Sequence, residues 1–212
     1  IKNCRIENSK QTIIPSLTWT MNAGESWLVI GPNGGGKVDF INALDGTLSI
    51  VPNVADESLY SNCFSKSTEL VSLERAARLI QEERENDESE YIEGGVDVGR
   101  TGRVFITEGI IGKFKTGGTV PDSVKIDLPP QALALDREPA IKLCGIEKIL
   151  DRGLKFMSTG EIRRTLLARA LLSGKKLLLL SDPFAGLDIQ SRAILLEFIS
   201  SISSIFSFNI SF

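Results

Sequence analysis

The stretch Gly31-Pro32-Asn33-Gly34-Gly35-Gly36-Lys37 constrains this chain more than any other. Its glycines open backbone conformations that side chains forbid, so successive N–H groups can converge on one point, and the lysine adds a cation. Ser26–Ile30, just before it, reads as a buried strand. Phe40, Ile41 and Leu44, just after it, recur at helical spacing, and Gly46 stands where that helix should stop. A strand, glycine loop and helix with the spacing GxxxxGK suit phosphate groups: loop amides and the positive helix end face the oxygens, and Lys37 reaches the terminal phosphates. The next position normally carries a hydroxyl that ligates magnesium. Here it is Val38, which has no oxygen to offer.

Length and charge narrow the setting. At 212 residues and 42% hydrophobic the chain suffices for one large α/β domain or two small ones. A net charge of −3 gives no general attraction for a phosphate backbone, so nucleic acid is not implied as a partner. Three dispersed cysteines and no histidine allow neither a disulfide framework nor a thiol-imidazole zinc site, which fits a reducing cytoplasm. No run approaches the roughly 20 apolar residues of a membrane span. The opening on Ile1 and the strand-like alternation of Phe206–Phe212 read as a piece of a longer protein.

Between the ends, pattern is uneven. Leu17, Trp19 and Met21 alternate like a strand, Glu69–Leu73 reads as another, and Glu74–Glu83 as a helix. The acidic run Glu82–Glu90 reads as a solvated helix end, and Gly99-Arg100-Thr101-Gly102-Arg103 as a flexible connection. Ser158 or Thr159 is placed to cap a helix carrying Ile162, Leu166, Leu167, Ala170 and Leu171 on one face. Leu177–Leu180 reads as a central parallel strand, with a further helix from Ile189 to about Ser201. Asp182, at the end of that leucine strand, is the leading acidic site residue, because open α/β sheets bind ligands beyond their carboxyl ends. An Asp before Pro is, by itself, more commonly a turn former.

Taken in order, the glycine loop, Phe156-Met157-Ser158-Thr159-Gly160-Glu161, the leucine strand with Asp182-Pro183, and Ala185-Gly186-Leu187-Asp188 resemble the motifs of ABC (ATP-binding cassette) ATPases. The likeness is greatest to the amino-terminal cassette of bacterial tandem ABC proteins of molybdate transport or photorepair. It implies a P-loop NTPase of ABC type: a mostly parallel core sheet flanked by helices, an amino-terminal β subdomain, and a helical arm over roughly residues 74–156, all one nucleotide-binding domain. It implies ATP and Mg²⁺ as cofactors, with Gly31, Pro32, Asn33, Gly34, Gly35, Gly36, Lys37 and Val38 around ATP and Asp182 as catalytic carboxylate and metal-associated group. Ser158, Thr159, Gly160 and Glu161 form a signature loop offered to the nucleotide of a facing cassette, and Asp188 lies in the D-loop. The implied partners are a second ABC cassette, in the same full-length protein or in a homodimer, and a membrane permease, which would hold a cytoplasmic domain at the inner membrane.

Departures from the family pattern are as informative. Ser181-Asp182 stands where Asp-Glu is usual, no aromatic lies near Asn8 to stack on adenine, Glu74 replaces a glutamine, and no histidine can act as the switch residue. Two readings follow: an ATPase that drives transport or another conformational task while its own site hydrolyses slowly, or a non-catalytic, nucleotide-dependent interaction module. A soluble ABC role in translation or repair is the alternative setting.

Overall fold

The computed structural model describes residues 1–22, 24–62, 64, 66–87, 97–113, 128–182, 184, 189–190, 192–193, 195–197 and 200. The chain divides into two compact units, one of residues 1–69 and 199–212, the other of residues 70–198.

In the first unit, β1 (Cys4–Glu7) is the middle strand of an antiparallel sheet between β2 (Thr12–Leu17) and β3 (Ser49–Pro52). Cys4 and Ile6 alternate inward and meet Phe40 and Ala43 of α1 (Lys37–Asp45) and Ile50 of β3. Asn8 makes the turn between β1 and β2, its Oδ1 accepting the N–H groups of Lys10 and Gln11, both at 2.9 Å. Trp19 lies edge-on to Phe40 and to Trp27, with centroids 5.1 and 5.6 Å away.

The expected strand at Ser26–Ile30 is not found. A strand exists only where a ladder does; β1 to β3 pair among themselves, and among the described residues no ladder reaches 26–30. Leu28 is 77% and Ile30 81% exposed. The alternation through Trp19 and Met21 likewise ends at Leu17 as a strand.

In the second unit, β4 (Thr68–Val71, whose first two residues close the first unit) pairs with β5 (Leu177–Leu180). Ser181 N–H donates to Val71 O at 3.0 Å, so the carboxyl ends meet and the pair runs parallel. Leu177–Leu180 is thus a strand as expected, but its ladder is with β4 and not with Val29 and Ile30. Four larger helical pieces follow: α2 (Leu73–Glu85), α3 (Gly102–Ile111), the short α4 (Pro130–Ala134) and α5 (Pro139–Leu143). Tight turns at Leu135–Arg137, Glu147–Ile149 and Leu154–Phe156 then lead to α6 (Thr159–Leu172), on which α3 packs.

Two readings of this region are corrected. Gly99–Arg103 is no flexible connection: Thr101 caps α3 by accepting the Val104 N–H at 3.3 Å, and Arg103 is only 8% exposed. Its guanidinium gives all its N–H groups to fixed acceptors, Asp151 (2.6 and 3.0 Å), Asp136 (2.8 and 3.0 Å) and Ala132 O (2.9 Å). The carboxylates of Asp151 and then Asp136 raise its pKa further. Nor is the acidic run wholly solvated, because Glu83 is buried and paired with Arg100 at 2.6 Å. Residues 88–90 of that run, residues 91–96 and 114–127, and the alternation at 206–212 lie outside the described residues. The described residues between 189 and 200 are helical.

No helix among the described residues is long and apolar enough to cross a membrane. Cys4 and Cys144 are buried free thiols, and burial pushes Cys144 up to about 12.

Candidate phosphate loop and signature helix

The glycine loop is formed as its sequence demands. Gly34 and Gly36 take φ of 78° and 79°, in the left-handed region, and Gly36 is the N-cap of α1. A β-carbon on Gly36 would also press on Ile14 Cδ1 at 3.1 Å, so both backbone and space favour glycine. Gly35 N–H closes the turn onto Pro32 O at 3.1 Å. Lys37 folds back along the loop, donating to Gly31 O at 2.6 Å and Pro32 O at 2.7 Å. The first N–H groups of α1 have no carbonyl before them within the helix, so the end of the loop presents donors and a cation to one side. This arrangement fits a polyphosphate.

A divalent cation fits less well. Val38, 43% exposed, turns methyl groups to solvent where a hydroxyl would serve, and among the described residues no three His, Cys, Asp or Glu side chains are grouped to hold a metal. Magnesium arriving with a nucleotide would rest mainly on phosphate oxygens and water. Asp39, in the first turn of α1, would set a like charge beside any phosphate held by the loop, a feature beyond the spacing motif itself.

In the second unit the signature residues form the start of α6. Ser158 is the N-cap: its Oγ accepts the Glu161 N–H at 3.3 Å, and Glu161 Oε2 accepts the Ser158 N–H at 2.8 Å. Because the hydroxyl accepts here, its own hydrogen is left to donate outward. Arg152 holds Glu161 Oε1 at 2.7 Å, so both carboxylate oxygens of Glu161 are occupied in shaping the helix start. Burial pushes the Glu161 carboxyl up, but the bonds from Ser158 and then Arg152 outweigh it and hold the pKa low. Thr159 and Gly160 supply the first helical residues, at the positive end. Just upstream, a β-carbon on Gly153 would overlap the Val98 carbonyl, so the turn into this loop needs glycine.

Asp182 follows β5 as expected, exposed and with φ 43°, while Ser181 is buried. The Asp182 main-chain carbonyl accepts from Arg163 Nη2 at 2.6 Å. Asp188 of the D-loop lies outside the described residues. At Asn8, where an adenine-stacking aromatic is missing, the side chain is committed to the β1–β2 turn. Sequence reasoning did not single out Arg163, a charge at i with Leu167 and Ala170 at i+4 and i+7 on an apolar stripe, and all three are buried.

The ABC transporter family model matches residues 14–185. The chain is 34% identical over 198 residues to the ABC transporter ATP-binding protein ModF of Escherichia coli, covering 93% of this chain but 35% of that protein. It is 24% identical over 214 residues to the zinc import ATP-binding protein ZnuC of Ehrlichia chaffeensis, covering 99% of this chain and 70% of the relative. Among solved structures, a nucleotide-free ATP-binding cassette from an ABC transporter superposes with a TM-score of 0.57 at 15% identity, over 98% of this chain and 79% of that one, a likeness of fold. With the family match spanning most of the sequence, the chain belongs to the ABC transporter family of ATP-binding proteins.

Proposed function

We propose that this chain is one ABC cassette, with its helical arm at roughly residues 74–156, that binds ATP at Gly31–Val38 and pairs head-to-tail with a second cassette. In that pair Ser158, Thr159 and Gly160 present the start of α6 to the partner's nucleotide, and Asp188 lies at the joint. Transport through a membrane permease is the task this reading favours, with the cassette on the cytoplasmic side. Molybdate is the cargo implied by the likeness to tandem cassettes, whereas zinc import is said of the Ehrlichia relative.

The observation that carries the reading is the contrast within one loop: Gly34 and Gly36 take the left-handed φ that a phosphate loop needs and Lys37 lies along it, yet Val38 offers no oxygen. Phosphoryl transfer depends on charge neutralisation and an aligned water, and removing one preorganised group can slow it on the order of a hundredfold. Binding therefore survives while turnover at this chain's own site is slow, with Asp182 the acidic group left to align water. Ser181, standing where the family usually has an acidic residue, favours the same division, in which the chain acts chiefly as a nucleotide-dependent closing surface for a competent partner. Phosphate release by the purified chain, compared with Lys37→Ala, tests this: slow release is expected, and robust Lys37-dependent release would show that the substitutions do not degrade the site.

A further inference from the structure

Arg163 lies on the inner side of α6 and is only 4% exposed, so its guanidinium needs acceptors within the fold. One of them is the main-chain carbonyl of Asp182, at 2.6 Å from Nη2. Asp182 is one of few non-glycine residues described at positive φ, a conformation that Asp tolerates better than most side chains. Two bonds flank it. Ser181 N–H on Val71 O secures the chain just before the turn, and Arg163 secures the Asp182 carbonyl at the turn itself. Burial lowers the pKa of Arg163, while the charges of Glu74 and Asp182 work in the opposite direction.

We propose that Arg163 is a positioning residue for Asp182, tying the left-handed turn to α6 and so fixing where the Asp182 carboxylate points. The inference rests on the reading of Asp182 as the group that aligns water at this chain's phosphate loop. It adds a mechanical consequence: α6 carries at its start the Ser158 loop offered to a facing cassette, and in its second turn the anchor of Asp182. A nucleotide gripped at Ser158 thereby acts on the same rigid element that orients Asp182.

The test uses the full-length protein with two readouts. Amide hydrogen exchange reads the turn: Arg163→Met should speed exchange at Ser181 about tenfold, Arg163→Lys should restore most of the protection, and Asp182→Asn should leave it unchanged. Single-turnover ATP hydrolysis, counting only the part abolished in Lys37→Ala, reads the consequence. Arg163→Met and Asp182→Asn should each slow it about tenfold with ATP affinity intact, and the double variant should be no slower than the slower single. Unchanged exchange in Arg163→Met would overturn the anchor whatever the rates. Rate losses that multiply in the double variant would also overturn it, because Arg163 would then act elsewhere. Hydrolysis unaffected by Asp182→Asn, with exchange still raised by Arg163→Met, would instead overturn the reading of Asp182.

Discussion

Ser158 and Glu161 hold each other at the start of α6, the hydroxyl accepting one main-chain N–H at 3.3 Å and the carboxylate the other at 2.8 Å. The signature loop is therefore a preformed helix end rather than a loop awaiting a ligand. Ser158→Ala removes the cap and should cost about 1 kcal/mol in denaturant unfolding, whereas Ser158→Asp, which keeps an acceptor, should cost less.

The same pair sets a pH dependence. The folded pKa of Glu161 lies below its ordinary 4.5, so its contribution to stability is present above that value and is lost as pH falls through the depressed folded value. Unfolding curves of the unmodified chain and Glu161→Gln should converge on acidification; a gap that stays constant to low pH would contradict the capping role of the charge.

Arg103 gathers α3, the Leu135–Arg137 turn and the approach to the signature loop onto one guanidinium. Asp136 and Asp151 keep 57% and 72% of their side chains exposed, so water can replace the arginine around them once it is gone. Arg103→Met should accordingly cost roughly 1–3 kcal/mol, below the loss usual where both charges are buried, and Asp136→Asn well under 1 kcal/mol. Equilibrium denaturation of the two variants measures both.

Asp39 acts in two directions. Its charge suits the first turn of an empty α1 but opposes phosphate in the loop beside it. Asp39→Asn should lower the stability of the nucleotide-free chain by about 0.3–1 kcal/mol and tighten ATP binding by roughly threefold to tenfold, more at low salt. Thermal unfolding with and without ATP separates the two effects.

How far the sequence carries can be seen in particular elements. The P-loop, α1 with its stop at Gly46, the cap of α6 and the leucine strand were all legible, because each is fixed locally by glycine conformations, helical spacing or a reciprocal cap. Ser26–Ile30 was not: its apolar run satisfies a strand pattern, but strands are made by neighbours, and no ladder reaches it among the described residues. Gly99–Arg103 misled in the other direction, since its glycines suggest a loop while Thr101 and the distant Asp136 and Asp151 make it the start of a helix. Arg163 and Asp182 met for the same reason, an interaction across the chain that no local spacing encodes.

ATP binding through Lys37 is the most direct point of decision. Lys37 lies folded on the carbonyls of Gly31 and Pro32, bonds that the proposed site would have it exchange for phosphate oxygens. Removing that charge-assisted hydrogen bond costs roughly 1.5–3 kcal/mol, or more than tenfold in affinity. Calorimetric titration of ATP into the unmodified chain and into Lys37→Ala should show a fall of at least about tenfold in the variant; equal affinity in the two would contradict the assignment of the loop as the nucleotide site.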